Sequence, residues 1–183
     1  MNELEIRQHD AVEAQALVDV MVQVYLDAHA GDGAFYNEER YRQQLAGHMK
    51  VAGWTLVTAE VRGHLVGYAY GFPLSSKTRW WEGIRGDVPP DFTHEDGRRT
   101  FALSELLVRP AWQRRGIARA LHDNLAESRP EERLTLLVRR DNAPAQAAYR
   151  SWGWKKMAQL KPAWEGAPIF DVLVGGFNDD RQI

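Results

Sequence analysis

The stretch RPAWQRRGIARALHDNL, Arg109 to Leu125, decides how the rest of the chain is read. Upstream of it, TFALSELLV (Thr100 to Val108) has the apolar, β-branched character of a strand, and Pro110 stops it. Downstream of Gly116 a helical pattern begins at once, with Ile117, Ala120, Leu121, Asn124 and Leu125 on one face. The segment is therefore a strand, a tight loop and a helix. The first turn of a helix leaves backbone N–H groups without helical partners, and the aligned peptide dipoles add partial positive charge there. Such a junction receives anions readily. Gly116 lets a phosphate approach the backbone without a Cβ in the way, and Ala118 is nearly as small. Arg114, Arg115 and Arg119 add charge nearby. Taken alone, QRRGIA (Gln113 to Ala118) also reads as a plain bend beside solvated arginines, since short motifs are weak evidence.

Working outward, LEIR (Leu4 to Arg7) is a strand, and Asp10 with Glu13 resembles a capping box. Val12, Leu17, Val20, Met21, Val24 and Ala28 fall at helical spacing, and Gly31-Asp32-Gly33 closes that helix. A second helix is predicted from Asn37 to about Met49. WTLVTAEV (Trp54 to Val61) and HLVGYAYGF (His64 to Phe72) form a hairpin through Arg62-Gly63. Between Pro73 and Arg99 the pattern lapses into a long loop rich in Pro, Gly and charge; a loop of this length is usually functional or mobile. LTLLV (Leu134 to Val138) reads as a strand buried on both faces. NAPAQAAYRSWG is a helix with Pro144 tolerated in its first turn and Gly153 after its end. PIFDVLV (Pro168 to Val174) is the last strand. The expected order is β-α-α-β-β-β-α-β-α-β-β, a mixed α/β fold in one domain over residues 1–183.

Bulk properties narrow the function. The chain has 183 residues and a net charge of −2, which does not favour nucleic acid or an anionic membrane as partner. It has no cysteine, which excludes disulfides, thiol catalysis and cysteine-ligated zinc. No apolar run approaches the ~20 residues of a membrane span. MNELEIRQHD lacks the basic flank and apolar core of a signal peptide, so a cytoplasmic location is expected.

A second constellation follows the first. Asn142 and Tyr149 are two helical turns apart and share a face, and Ala145 and Ala148 keep that face low. The same pattern also suits a helix packed closely on a sheet with Tyr149 simply buried. Together, RPAWQRRGIARAL after ELLV and NAPAQAAYRSWGW resemble the Q/R-x-x-G-x-G/A and N-x-x-A-x-x-x-Y…G-F/W segments of the GNAT superfamily of N-acetyltransferases. The likeness is best from about Thr100 to Met157. Ala118 stands where many members carry a second glycine, and Trp154 where most carry phenylalanine.

The resemblance implies a mixed, mostly antiparallel central sheet flanked by helices, with the family's fourth and fifth strands splayed to hold coenzyme A. It implies acetyl-CoA as co-substrate and direct acyl transfer to a primary amine of a small molecule or peptide. Leu106, Leu107 and Val108 would offer backbone groups to the pantetheine amides. The pyrophosphate would rest on the N–H groups of Arg114, Arg115, Gly116, Ile117, Ala118 and Arg119, with Gln113 closing the near side. Asn142 would hydrogen-bond the arm. The Val108 N–H is the expected oxyanion donor and Tyr149 the general acid. Glu105 is the candidate base, against the alternatives of a structural ion pair or a water chain. Strict alternation sets Glu105 opposite Val108 and beside Leu103 and Leu107, unless a bulge intervenes.

Other features leave more open. In the long loop, Trp80 and Trp81 would make a flat wall for substrate, and Glu82, Asp87, Asp91, Glu95 and Asp96 would attract a cation. The alternative is plain surface, with the tryptophans capping the core. The histidines do not have metal-ligand spacing, so no metal is expected. Tyr25 and Tyr36 are candidates to line the acceptor groove. Exposed edge strands and the C-terminal VLVGGF would suit a homodimer. A non-catalytic acyl-CoA-binding or sensing module is the competing function. A nucleotide-phosphate module ranks lower, lacking G-K-[ST] and G-x-G-x-x-G.

Overall fold

The computed structural model describes residues 4–175 and divides into two compact units. The first comprises residues up to Phe72 together with Leu103–Arg129, and the second Pro73–Ala102 together with the residues from Pro130 onward. Among the described residues, eight strands and four α-helices make a mixed, mostly antiparallel α/β fold.

In the first unit the strand order is β1 (Leu4–His9), β2 (Thr55–Val61), β3 (His64–Pro73) and the end of β5 (Thr100–Val108). Arg62 and Gly63 both have positive φ, at 53° and 73°, the geometry of a two-residue hairpin. The β2–β3 register shifts between Ala59 and Glu60, so β3 carries a bulge beside Val66. Helices α1 (Val18–Ala28), α2 (Glu38–His48) and α3 (Ile117–Glu127) complete the unit. Tyr68 of β3 bonds to Tyr41 of α2, while a Cβ on the adjacent Gly67 would point at Leu121 of α3, 3.3 Å away. Neighbouring strand residues face opposite ways, so α2 and α3 cover opposite faces of β3.

Asp10 and Glu13 do form a reciprocal capping box, each accepting the other's backbone N–H, at 2.9 and 3.0 Å. It opens a 3-10 turn, Glu13–Leu17, and only then α1. The tighter turn rotates the expected face: Val12 is 81% exposed, and Met21, Val22, Val24 and Tyr25 point inward. In α3 the inward stripe is Ile117, Leu121, His122 and Leu125; His122 takes the place expected for Asn124, which is exposed. Asn37 caps α2 by accepting from the Arg40 N–H at 3.0 Å.

In the second unit the order is the start of β5, then β6 (Arg133–Arg139), β8 (Phe170–Gly175), β7 (Lys155–Leu160) and β4 (Ile84–Arg85), with α4 at Ala143–Ser151. The parallel β5–β6 ladder runs from Thr100↔Arg133 to Ala102↔Thr135 and ends there, although β5 continues to Val108 and β6 to Arg139. The long 73–99 segment is less irregular than expected: Ile84 and Arg85 pair with Leu160 and Gln159. Gly176 and Phe177 of VLVGGF lie outside the described residues.

Candidate active site

The mouth of α3 is built by a chain of local restraints. Arg109 starts it. Its backbone N–H donates to the Val66 carbonyl at 2.9 Å, its Nε–H to the Leu65 carbonyl at 2.9 Å, and its guanidinium pairs with Asp27 of α1. The β3 bulge presents both carbonyls to one residue. A 3-10 turn, Pro110–Trp112, follows, and the Gln113 side chain turns back to donate to the Val108 carbonyl at 3.0 Å. Arg114 and Gly116 both have positive φ, 59° and 79°. Gly116 is the N-cap of α3 and supplies no side-chain acceptor to the first-turn N–H groups, which begin with Ile117 and Ala118.

A Cβ at Gly116 would meet no protein atom within 4 Å, so the approach to this helix end is open. The arginines are partly committed: Arg119 pairs with Asp123 at 2.6 Å, and Arg115 lies over Trp112 at 4.9 Å. Gly116→Ala is expected to cost about 1–2 kcal/mol of stability for the left-handed backbone. Thermal unfolding of the variant against the parent measures that cost.

Upstream on β5, Glu105 sits in a nest of uncharged partners. The Gln44 amide of α2 donates to Glu105 Oε1 at 3.3 Å. The phenols of Tyr25, Tyr41, Tyr68 and Tyr70 all lie within electrostatic reach of the carboxyl. Tyr41 and Tyr68 share a hydroxyl hydrogen bond of 2.5 Å, and Tyr70 bonds to His48 Nδ1 at 3.0 Å. Burial raises the Glu105 pKa to about 7, against the smaller opposing effect of the Gln44 hydrogen bond. Burial also lowers His48 to about 4, so this histidine is neutral at pH 7 and brings no cation to Glu105. Glu105 points to the α2 side, whereas Val108 packs near Gly67 and toward α3, the opposition that alternation predicts. The neighbouring Ser104 also reaches α2, through His48 at 3.4 Å, so alternation is broken at that one step.

In the second unit, Asn142 is the N-cap of α4 and its Oδ1 accepts from the Ala145 N–H at 3.2 Å. Tyr149 is buried, with its ring edge-on to Trp152 at 5.5 Å and to Trp154 at 5.9 Å. Gly153 ends the helix with φ at 87°.

In the long segment the structure favours the second of the two readings for Trp81. Trp81 is buried and donates from Nε1 to Glu95 at 3.0 Å, so it caps the core rather than forming a substrate wall. Glu95 is 4% exposed and pairs with Arg133 of β6 at 3.0 Å. Its remaining neighbour, the Thr100 hydroxyl, donates to it at 2.8 Å. Glu82 is held by Arg79 and Asp91 faces Arg99, while Asp96 accepts from the Arg98 and Arg99 N–H groups. These acids are occupied because each lies within reach of a cation or a turn donor folded onto the same segment.

Sequence reasoning did not assign Arg109, Gln44, Ser104 or His48. Gln44 and His48 are one helical turn apart on α2, a signal in the spacing, but their partners are remote in the chain. Among the described residues no group of three or more histidines, aspartates and glutamates is placed to hold a metal, and no helix is long and apolar enough to cross a membrane.

Comparison with known proteins agrees with this architecture. The sequence model of the acetyltransferase (GNAT) family matches residues 18–154. A GNAT-family protein from Desulfovibrio desulfuricans superposes with a TM-score of 0.65 at 19% identity, over 94% of this chain and 98% of that one. The ribosomal-protein-alanine N-acetyltransferase of Brucella melitensis gives 0.58 at 23% identity, over 93% and 96%. The PaiA N-acetyltransferase of Thermoplasma acidophilum, solved in complex with coenzyme A, gives 0.56 at 14% identity, over 96% and 99%. At these identities the structural matches speak to the fold alone. No curated protein matches the sequence. The family match spans most of the chain, from α1 to the residue before β7, and takes in both motif-bearing helices: the chain belongs to the acetyltransferase (GNAT) family.

Proposed function

We propose that this chain is a single acetyltransferase domain that moves the acetyl group of acetyl-CoA onto a primary amine by direct attack. The observation that carries the proposal is the pairing, on one strand and the loop after it, of an open anion-receptive helix mouth with a carboxyl whose pKa is near 7. A base poised near the working pH is what deprotonation of an ammonium needs. The bound co-substrate would supply an activated thioester.

In this mechanism the N–H groups at the mouth of α3, from Arg114 to Arg119, hold the pyrophosphate, and Gln113 keeps the loop closed on Val108. The backbone of Leu106, Leu107 and Val108 holds the pantetheine amides. The oxygen of Asn142 is committed to its helix, so its amide NH₂ is the group that would bond the arm. Glu105 accepts a proton from the acceptor ammonium. The freed amine attacks the thioester carbonyl and the Val108 N–H supports the oxyanion; as the carbon–sulfur bond breaks, Tyr149 gives its proton to the leaving thiolate and regains one from the nitrogen that becomes the amide, while Glu105 returns its proton to solvent. A phenol and an alkyl thiol are close enough in acidity, with reference values near 10 and 8.5, for that transfer.

The pH profile tests the role of Glu105. Below about 7 its carboxyl is protonated and cannot serve as base, so kcat is expected to rise through about pH 7 and level off above it. Glu105→Gln is expected to lower kcat about 10²-fold and to remove that limb. The same shift has a stability consequence. A raised carboxyl pKa means the folded state prefers the neutral form, so stability is lost as pH rises from the ordinary glutamate range to about 7. Glu105→Gln should flatten that slope in urea unfolding. Thiol release from acetyl-CoA with a panel of amines tests the activity itself.

A further inference from the structure

Helix α2 reaches the candidate base through an uncharged side chain. The helix is seated by Tyr41, which is fully buried and bonds to Tyr68 of β3, and by Leu45, 1% exposed. Gln44 follows Tyr41 by three residues and precedes His48 by four, so the three share one face. Two consecutive residues of β5 meet that face. Ser104 comes within 3.4 Å of His48 Nδ1, and Glu105 accepts from the Gln44 amide at 3.3 Å. His48 is also engaged from β3, by the Tyr70 hydroxyl at 3.0 Å.

The two oxygens of Glu105 differ. Oε1 carries the Gln44 bond. Oε2 receives no hydrogen bond among the described residues, yet it is not one of the buried side-chain atoms that lack a partner, and the residue as a whole is half-buried. Oε2 is therefore the oxygen that water, or an ammonium, can reach. The carboxyl has phenols around it: Tyr25 from α1, Tyr41 from α2, and Tyr68 and Tyr70 from β3. His48, on the same face of α2 as Gln44, is neutral at pH 7.

We propose that Gln44 is a positioning residue for the proton transfer: its amide N–H holds Oε1 of Glu105 in place and leaves Oε2 to the acceptor ammonium. This rests on the acetyltransferase reading above, with Glu105 as the base. An amide restrains the carboxyl without adding charge. Burial raises the Glu105 pKa to about 7, and the Gln44 bond tempers that rise. A lysine or arginine at position 44 would favour the carboxylate more strongly and weaken it as a base near neutrality, whereas an apolar residue would leave Oε1 without its donor.

The test has two arms, both on the full chain. In the first, a carboxyl-carbon NMR titration follows Glu105 with no acceptor present, its signal identified by its loss in Glu105→Gln. The midpoint is expected to rise by about one pH unit in Gln44→Leu, where a bond to the carboxylate is lost, and to fall by about one unit in Gln44→Lys, where a cation replaces the amide. In the second, thiol release at saturating acetyl-CoA is read across pH with benzylamine, spermidine and an alanine tetrapeptide. With the fastest of these, the ascending limb of kcat should move as the midpoint does, and kcat at pH 7 should fall about tenfold in Gln44→Leu. In the Glu105→Gln background, Gln44→Leu should change kcat by less than about twofold, because Gln44 acts through Glu105. Leucine suits a helix, and Gln44→Met is read in the same way should Gln44→Leu not fold. A midpoint that stays put in both variants, or an equal fold-loss of kcat with and without Glu105, overturns the positioning role and leaves the base standing. An ascending limb that survives Glu105→Gln overturns Glu105 as base and the role of Gln44 with it. Coenzyme A binding with no thiol release from any amine overturns the proposed activity and both assignments.

Discussion

Tyr149→Phe is expected to lower kcat by about 10²- to 10⁴-fold, the span of a lost general acid. The coenzyme A Kd should stay within about twofold, because only an interaction made late in the reaction is removed. The structure makes the substitution a clean one. The Tyr149 ring is buried and packed edge-on against Trp152 and Trp154, and phenylalanine keeps those contacts. Loss of the hydroxyl is then the main change. Steady-state thiol release and calorimetric titration, run on the same preparation, read kcat and Kd separately. Equal kcat in parent and variant would sink the assignment of Tyr149 as acid. A matched loss of kcat and of coenzyme A affinity would reassign it to binding.

The second large effect is on stability. Glu95→Ala should destabilise the fold by about 3–5 kcal/mol, the cost of leaving one partner of a buried ion pair behind. The partner left is Arg133, whose guanidinium sits 4.7 Å from the Phe92 ring centroid and 5.5 Å from that of Trp81. Burial already lowers the Arg133 pKa, with the Glu95 hydrogen bond acting against it. Removing Glu95 also strands the Trp81 and Thr100 donors, which both aim at the same oxygen as Arg133. One oxygen of Glu95 thus gathers three donors, while the other is buried without a hydrogen-bond partner. The double variant Glu95→Leu with Arg133→Met should recover most of the loss, because buried pairs are often replaceable by apolar residues of similar volume. Urea unfolding of the single and double variants gives both numbers. A small effect of Glu95→Ala would show that water reaches Arg133 in the folded protein.

Much of the architecture was legible because its signals are local. Asp10 and Glu13 lie within one turn and cap each other; Asn37 caps α2 three residues from the N–H it receives. Arg62-Gly63 announced a hairpin, and both residues adopt the left-handed backbone that such a turn needs. Gly116 announced the mouth of α3 for the same reason. The errors came where a local pattern competed with tertiary geometry. Val12 had the right spacing for α1, but a 3-10 turn beneath it directed it to solvent. For Trp81 the sequence leaves a substrate wall and a cap on the core both open, and the structure makes it the cap; Glu95, read as a group to attract a cation, is buried because Trp81, Thr100 and Arg133 all converge on its carboxylate.

The candidate site divides along the same line. The sequence by itself determined the strand, loop and helix that make the α3 mouth, the Asn142–Tyr149 spacing, and the family to which both motifs belong. These follow from backbone preferences that act over a few residues: glycine at positive φ, capping side chains, helical period. Only the tertiary structure decided that the Glu105 pKa is raised to about 7, that Gln44 is its hydrogen-bond donor from 61 residues away, and that Arg109 anchors the loop on carbonyls of β3. The physical reason is desolvation. A carboxyl's acidity, an ion pair's strength and a ring's stacking partner all depend on which distant segments exclude water around them, and that is fixed only once the chain has folded.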